Sequence, residues 1–163
     1  MKFSFFHLMP YTDAQASADW PVPNRGFDAQ KANGYYRAYL EAMIRAEDCG
    51  FDWVGCNEHH FSPYGMMANC NIIGGALAYN TKNIRIAMVG NLVPLNNPIR
   101  VAEEYAMLDC ISGGRLIAGL MRGIPHEYIA YGIHPDGIVG PETLFALSAL
   151  DDSGPHLARE VNS

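Results

Sequence analysis

No apolar run in this sequence approaches the roughly 20 residues that cross a bilayer, so a membrane-spanning role is not expected. Charge is scarce as well. Charged residues make up 17 % of the chain, and 11 basic side chains face 17 acidic ones, a net charge of −6. That balance excludes a phosphate-backbone groove, and no nucleic-acid partner is expected. C-x-x-C spacing is absent. Cys49, Cys56, Cys70 and Cys110 lie inside or beside apolar segments, which reads as four buried thiols rather than a disulfide framework or a zinc site. Neither H-x-H nor H-E-x-x-H occurs, so no metal site is expected. The G-x-G-x-x-G and Walker patterns are missing, and no serine has a nucleophile-elbow context. The opening Met1–His7 is too short and too quickly polar for a secretory signal, and the expected compartment is the cytoplasm.

What is present is an ordinary globular chain. Its 163 residues are 49 % hydrophobic, enough for one domain with a real core. Phe3 to Leu8 is a short apolar run closed by Pro10, and predicts a fully buried strand. Tyr11 to Asn33 is polar, with Pro21, Pro23, Asn24 and Gly26, and predicts a long loop of the kind that usually carries function. Tyr36, Leu40, Met43, Ile44 and Glu47 recur at helical spacing, with Arg37-Glu41-Arg45 as i,i+4 pairs on another face and Gly50 as the stop. Asp52 to Cys56 predicts a second strand. Asn69 caps a helix carrying Ile72, Ile73, Ala76 and Leu77. Ile84 to Val89 predicts a third strand. Asn97-Pro98 starts a helix that Gly113-Gly114 ends, and Arg115 to Leu120 predicts a fourth strand.

Strands beginning near 3, 52, 84 and 115 with one helix between each pair imply a parallel α/β sheet of right-handed βαβ units. The last two spacings match the repeat of a TIM barrel, which needs at least ~200 residues. The expected fold is therefore about half a barrel over 1–133, followed by a divergent tail over 134–163. In that tail Gly140-Pro141-Glu142 starts a short helix to Leu150.

In such folds the site gathers at the C-terminal ends of the strands. After the second strand stands Asn57-Glu58-His59-His60-Phe61. Two histidines and a carboxylate there can offer a base near neutral pH with a partner to fix its tautomer. The same residues also read as a polar loop with one capped and one solvated histidine. After the fourth strand Arg122 suits a phosphate or carboxylate, or else pairs with Glu127 or Glu58. Ser112-Gly113-Gly114 is a helix C-cap before it is a phosphate nest.

At these residues the chain from Phe3 to about Ile133 resembles the N-terminal part of the bacterial luciferase-like flavin monooxygenases. The matching stretches are Asp48-Cys49-Gly50-Phe51-Asp52, Glu58-His59-His60-Phe61, Asn91-Leu92-Val93-Pro94 with Asn97-Pro98-Ile99-Arg100, and Ser112-Gly113-Gly114-Arg115 through Gly119-Leu120-Met121-Arg122-Gly123. The resemblance implies a (βα)₈ barrel that uses reduced FMN, or a deazaflavin in some branches, supplied by a separate flavin reductase. It also implies delivery of oxygen from O2 to a small aldehyde, alkane or terpenoid-like substrate. Carried over by position, His59 looks like the catalytic histidine, with Glu58 and His60 as its supports. Val89-Gly90 is where the family often has a non-prolyl cis peptide against the flavin ring. Arg122 looks like a flavin-phosphate ligand, with Met121 lining the ring pocket. Such a site must exclude water, and Phe5, Phe6, Trp53 and Phe61 are candidates for its apolar lining.

The second half of the family's barrel has no counterpart here. Instead, Asp136-Gly137-Ile138-Val139-Gly140-Pro141-Glu142-Thr143 with Ala146-Leu147 resembles a segment of peptidoglycan-binding modules. Four βα units leave open sheet edges and an uncovered apolar face. The expectation that follows is a homodimer, a larger oligomer or a partner half-barrel. The alternative to an enzyme is a non-catalytic half-barrel association module.

Overall fold

A computed structural model describes residues 1–19 and 21–133. In chain order the elements are β1 (Ser4–Phe6), α1 (Ala29–Asp48), β2 (Trp53–Cys56), α2 (Cys70–Asn80), β3 (Arg85–Met88), β4 (Asn91–Leu92), a 3₁₀ turn (Val93–Leu95), α3 (Pro98–Ser112), β5 (Leu116–Ile117), β6 (Leu120–Met121) and α4 (Pro125–Ala130). Strands β1, β2, β3 and β5 form one parallel sheet in that order, and β4 pairs with β6 in a second parallel sheet. The parallel α/β architecture is as expected. Among the described residues the sheet stays open, with β1 and β5 at its two edges. The tail over 134–163, including the short helix ending at Leu150 and the wall-binding resemblance, lies outside the described residues.

The helices start and stop for local reasons. Asn69 and Asn97 accept the first free N–H groups of α2 and α3, Pro98 occupies the first turn of α3, and Gly113 closes that helix at φ 70°. Helix α1 begins earlier than the polar reading of Tyr11–Asn33 implies. Asp28 Oδ1 accepts from Gln30 N–H at 2.8 Å and Lys31 N–H at 3.2 Å, so the loop ends at Asp28. The first turn buries only Ala32 and gives no apolar periodicity to read. The Arg37-Glu41-Arg45 spacing closes no ion pair among the described residues.

Strand register separates two faces. The row Phe5–Val54–Ile86–Leu116 turns toward the helices and joins the core with Met43, Leu77 and Leu108. The next row, Phe6–Gly55–Ala87–Ile117, points the other way. On that second face Phe6 is exposed while Gly55 and Ala87 are buried. Strand β1 is consequently not the fully buried strand its composition suggests: it is an edge, and Phe3 and Phe6 are 58 % and 49 % exposed. The four cysteines are free thiols. Cys56 and Cys70 are buried as expected, but Cys49 and Cys110 are exposed. Cys49 is the C-cap residue of α1, and Cys110 takes a solvent-facing turn of α3. Burial pushes the Cys56 thiol up to about 12.

A single carboxylate ties α1 to the entry of β3. Glu47 accepts N–H groups from Lys82 (3.0 Å), Asn83 and Ile84 (3.1 Å). Partial burial raises its pKa, but the three N–H donors outweigh that and hold it below the ordinary carboxylate value. The folded pKa is depressed, so this stabilisation is full above the unfolded value of about 4.3 and lost as pH falls through the folded one. Glu47→Gln should cost about 1 kcal/mol near neutral pH after solvent screening. The gap between variant and parent should close on acidification below about pH 4, read as melting temperature against pH.

Candidate active site

The sheet breaks at two facing places. The Val89–Gly90 peptide is cis, as the resemblance implies, and it separates β3 from β4. Ala118–Gly119 separates β5 from β6 in the same way, so the strand read as Arg115–Leu120 is two short ones. At this joint the two backbones nearly touch. A Cβ on Gly90 would stand 2.5 Å from the Gly119 carbonyl oxygen, and one on Gly119 would overlap the Met88 oxygen. Beyond the joint, Val89 and Met121 are 40 % and 38 % exposed. An ideal Cβ on Gly55 lies 3.0 Å from the Phe6 ring and 3.8 Å from Val89, so these two side chains flank a bare stretch of β2. Phe5, by contrast, packs on Phe51 on the helix side and lines no site, contrary to its expected place in the lining.

The segment after β2 divides its three functional side chains between two tasks. Glu58 and His60 are buried. Glu58 Oε1 lies 2.8 Å from His60 Nε2 and accepts from the Asn96 amide at 3.3 Å, while Oε2 accepts Leu92 N–H at 3.3 Å. His60 Nδ1 meets the Tyr131 hydroxyl at 3.2 Å. Both ring nitrogens of His60 are therefore engaged. His59 turns the opposite way, with 30 % of its side chain exposed and its ring edge-on to Tyr64.

Its partner is one that sequence reasoning assigned elsewhere. Glu127, on α4, is 2 % exposed and sits with Oε1 3.5 Å from His59 Nδ1. The same carboxylate accepts His60 N–H at 3.3 Å and Ile124 N–H at 3.0 Å. The carboxylate stands on the Nδ1 side of the ring, and no hydrogen bond among the described residues engages Nε2. The pairing of Arg122 with Glu127 or Glu58 does not occur, because both carboxylates are turned inward to histidines and backbone N–H groups. Nothing local in Pro125-His126-Glu127-Tyr128 announces this role, since only the fold lays α4 over the segment after β2.

Arg122 itself is exposed, follows β6 directly, and has no carboxylate within ion-pair distance among the described residues. Its backbone carbonyl accepts from the Tyr128 hydroxyl. His59 lines a cavity of about 390 Å³ between the loop after β1 and residues 59–68. Phe61 lines it too, but Val89, Gly90, Met121 and Arg122 do not. The two groups of site residues meet through Glu127, which contacts His59 on one oxygen and the backbone following Arg122 on the other.

The strand-end face suits a flat apolar ring with an anionic arm. Val89 and Met121 offer exposed apolar surface, and Arg122 a cation with no ion-pair partner among the described residues. Buried Asn57 Oδ1 has no donor among the described residues, which leaves an acceptor for an N–H group or a water. Among the same residues no three His, Cys, Asp or Glu side chains are placed to hold a metal ion.

A family model for luciferase-like monooxygenases matches residues 17–139. The chain belongs to that family. The matched residues extend into the tail as far as 139, and the likeness of that tail to a peptidoglycan-binding segment gains no support from this match. Similar proteins include an uncharacterized protein, y4wF, of Sinorhizobium fredii, 36 % identical over 115 residues, which cover 68 % of this chain and 34 % of that one. The alkanal monooxygenase beta chain of Vibrio harveyi is 36 % identical over 119 residues, covering 73 % and 32 %. The monooxygenase RslO1 from Streptomyces bottropensis superposes with a TM-score of 0.65 at 29 % identity, over 83 % of this chain and 38 % of its own. The oxygenating constituent of 3,6-diketocamphane monooxygenase from Pseudomonas putida, solved in complex with FMN, has the same fold at a TM-score of 0.67 and 22 % identity, over 89 % and 38 %. The chain thus spans about a third of the length of these proteins.

Proposed function

We propose that this chain supplies the His59 side of a flavin-dependent monooxygenase site that takes reduced FMN, with a deazaflavin as the alternative cofactor. The reading rests on one observation above the others: His59 lines a largely apolar cavity with Nδ1 3.5 Å from the buried Glu127 carboxylate, whose other oxygen accepts the Ile124 N–H that closely follows Arg122. The FMN bound by the diketocamphane enzyme supports the choice of ring. When bound, the reduced flavin supplies the two electrons that let one oxygen atom of O2 enter a small organic substrate while the other leaves as water. Arg122 holds the phosphate, and Val89 and Met121 exclude water from the ring. His59 accepts or returns a proton at Nε2, with Glu127 keeping the ring oriented. Glu58 and His60 act one layer back, as supports. In this reading a separate reductase provides the reduced flavin.

Anaerobic titration of the full chain with reduced FMN tests this. Saturable binding that Arg122→Gln weakens about tenfold, the size of one charge-assisted contact, is the expected result. No binding of either oxidised or reduced FMN would sink the reading.

The open sheet favours a second reading. Exposed Phe6 and Val89 and, among the described residues, two unpaired strand edges are the features of a surface that associates, either with a second copy or with a partner half-barrel. A non-catalytic association module of this kind predicts a multimer by light scattering and a His59→Ala variant unchanged in every property. A monomer at micromolar concentration with a cooperative melt would exclude it.

A further inference from the structure

The cavity beside His59 is walled by two loops that the backbone ties together. Val22 N–H donates to Phe61 O at 3.0 Å, Tyr11 N–H to Pro63 O at 2.9 Å, and Met66 N–H to Met9 O at 2.8 Å. A Lys31–Asp13 ion pair of 2.7 Å braces the outer loop against α1. Most polar groups of the wall are engaged by this framework. The Tyr11 hydroxyl accepts Asp28 N–H at 3.0 Å and reaches Gly26 O, and the Tyr36 hydroxyl donates to Met66 O. Ser62 Oγ accepts Tyr64 N–H at 3.3 Å. The tyrosines therefore contribute rings to the cavity, and they do so beside Phe27 and Phe61.

What remains unengaged is short and specific. Among the described lining residues it comprises His59 Nε2, the Asn24 side-chain amide, the Arg25 guanidinium and the donor side of the Ser62 hydroxyl. No carboxylate of the described residues lies within ion-pair distance of Arg25, although the chain carries an excess of six negative charges. A cation without a partner on the wall of an aromatic cavity discriminates among ligands by charge. An ammonium is repelled, a neutral alcohol gains only an ordinary hydrogen bond from the exposed guanidinium, and a carboxylate matches its charge and planar fork.

We infer that this cavity binds a small hydrophobic carboxylic acid, its carboxylate held by Arg25 with the Asn24 amide and its apolar body lying among Tyr11, Phe27, Tyr36 and Phe61. The size agrees: about 390 Å³ is at the lower end of small-molecule sites, and suits an aryl or short alkyl chain. The inference rests on the proposed function only where it puts the acid's inner end before His59 as the substrate. Binding itself needs no flavin.

The test uses the full chain without flavin and three probes of one shape: 4-phenylbutyrate, 4-phenylbutanol and 4-phenylbutylamine, measured by calorimetry at pH 7.5. The acid should bind about tenfold more tightly than the alcohol, and the amine more weakly than either. Arg25→Gln should bring the acid down to the alcohol without moving the melting temperature, and Phe27→Ala should weaken acid and alcohol together. Equal affinity for acid and alcohol, an unchanged preference in Arg25→Gln, or no binding of any probe would overturn the inference. A chain that binds reduced FMN but shows no acid preference loses only this assignment. One that prefers the acid but binds no flavin keeps the cavity and loses the monooxygenase reading.

Discussion

Glu58→Ala should lower folding stability by about 2–4 kcal/mol, because it strips the acceptor from buried hydrogen-bonding groups that cost roughly 1–3 kcal/mol each when left unpaired. The carboxylate is 5 % exposed and is the acceptor for Leu92 N–H and the Asn96 amide as well as the neighbour of His60 Nε2 at 2.8 Å. Alanine leaves Leu92 N–H and His60 Nε2 without that partner in the interior, while the half-buried Asn96 amide keeps only the Leu92 carbonyl at 2.9 Å, and the penalties accumulate. Glu58→Gln keeps the shape but turns an amide donor toward donors, so it should fall between parent and alanine. The consequence reaches the site. His60 N–H is one of the two backbone donors to Glu127, which stands beside His59, so a displaced His60 carries Glu127 and His59 with it. Urea unfolding of the three proteins decides the matter. A loss under about 1 kcal/mol, the value of an ordinary hydrogen bond, would show that Glu58 is not the buttress of this segment.

The same network explains what the sequence makes legible and what it hides. Alternation of strands and helices is visible because each signal is local. Asn69, Asn97-Pro98 and Gly113 act on their own helix ends, and apolar spacing marks the faces that meet in the core. Glu58-His59-His60 is visible as a cluster, but its division of labour is not. Adjacent side chains diverge, and only the fold decides that His60 turns inward to Glu58 while His59 turns outward to a carboxylate 68 positions away. Glu127 carries no motif of its own. The cavity is hidden for a related reason: its walls pair residues 11–27 with 59–68 through backbone contacts that no side-chain pattern encodes. The exposure of β1 is a third case. Its composition is that of a buried strand, and burial depends on what lies beside it, which is a property of the assembly rather than of Phe3–Leu8.

Gly119→Ala should be the most damaging single substitution in the described residues, with loss of the cooperative unfolding transition or a destabilisation of more than about 4 kcal/mol. The added Cβ would overlap the Met88 carbonyl oxygen, and no side chain stands there to yield. Relief requires β5 and β6 to draw away from β3 and β4. That movement breaks two things at once: the pairing of Asn91 with Leu120 and Leu92 with Met121, and the bond from the Tyr105 hydroxyl to the Gly119 carbonyl. It also withdraws Met121 and the following Arg122 from the strand-end face, so any FMN affinity should vanish with the fold. Gly75→Ala is the contrasting case. Gly75 lies inside α2, where a Cβ would rest at an ordinary 3.8 Å from Leu108, and the helix should gain roughly 0.5–1 kcal/mol from the substitution. Two alanines of opposite sign, separated by thermal melts of the same chain, would show that the backbone approach at Gly119, rather than glycine content, sets the geometry of this site. A Gly119→Ala protein that melts within a few degrees of the parent would refute that close approach and, with it, the placement of Val89 and Met121 as one surface.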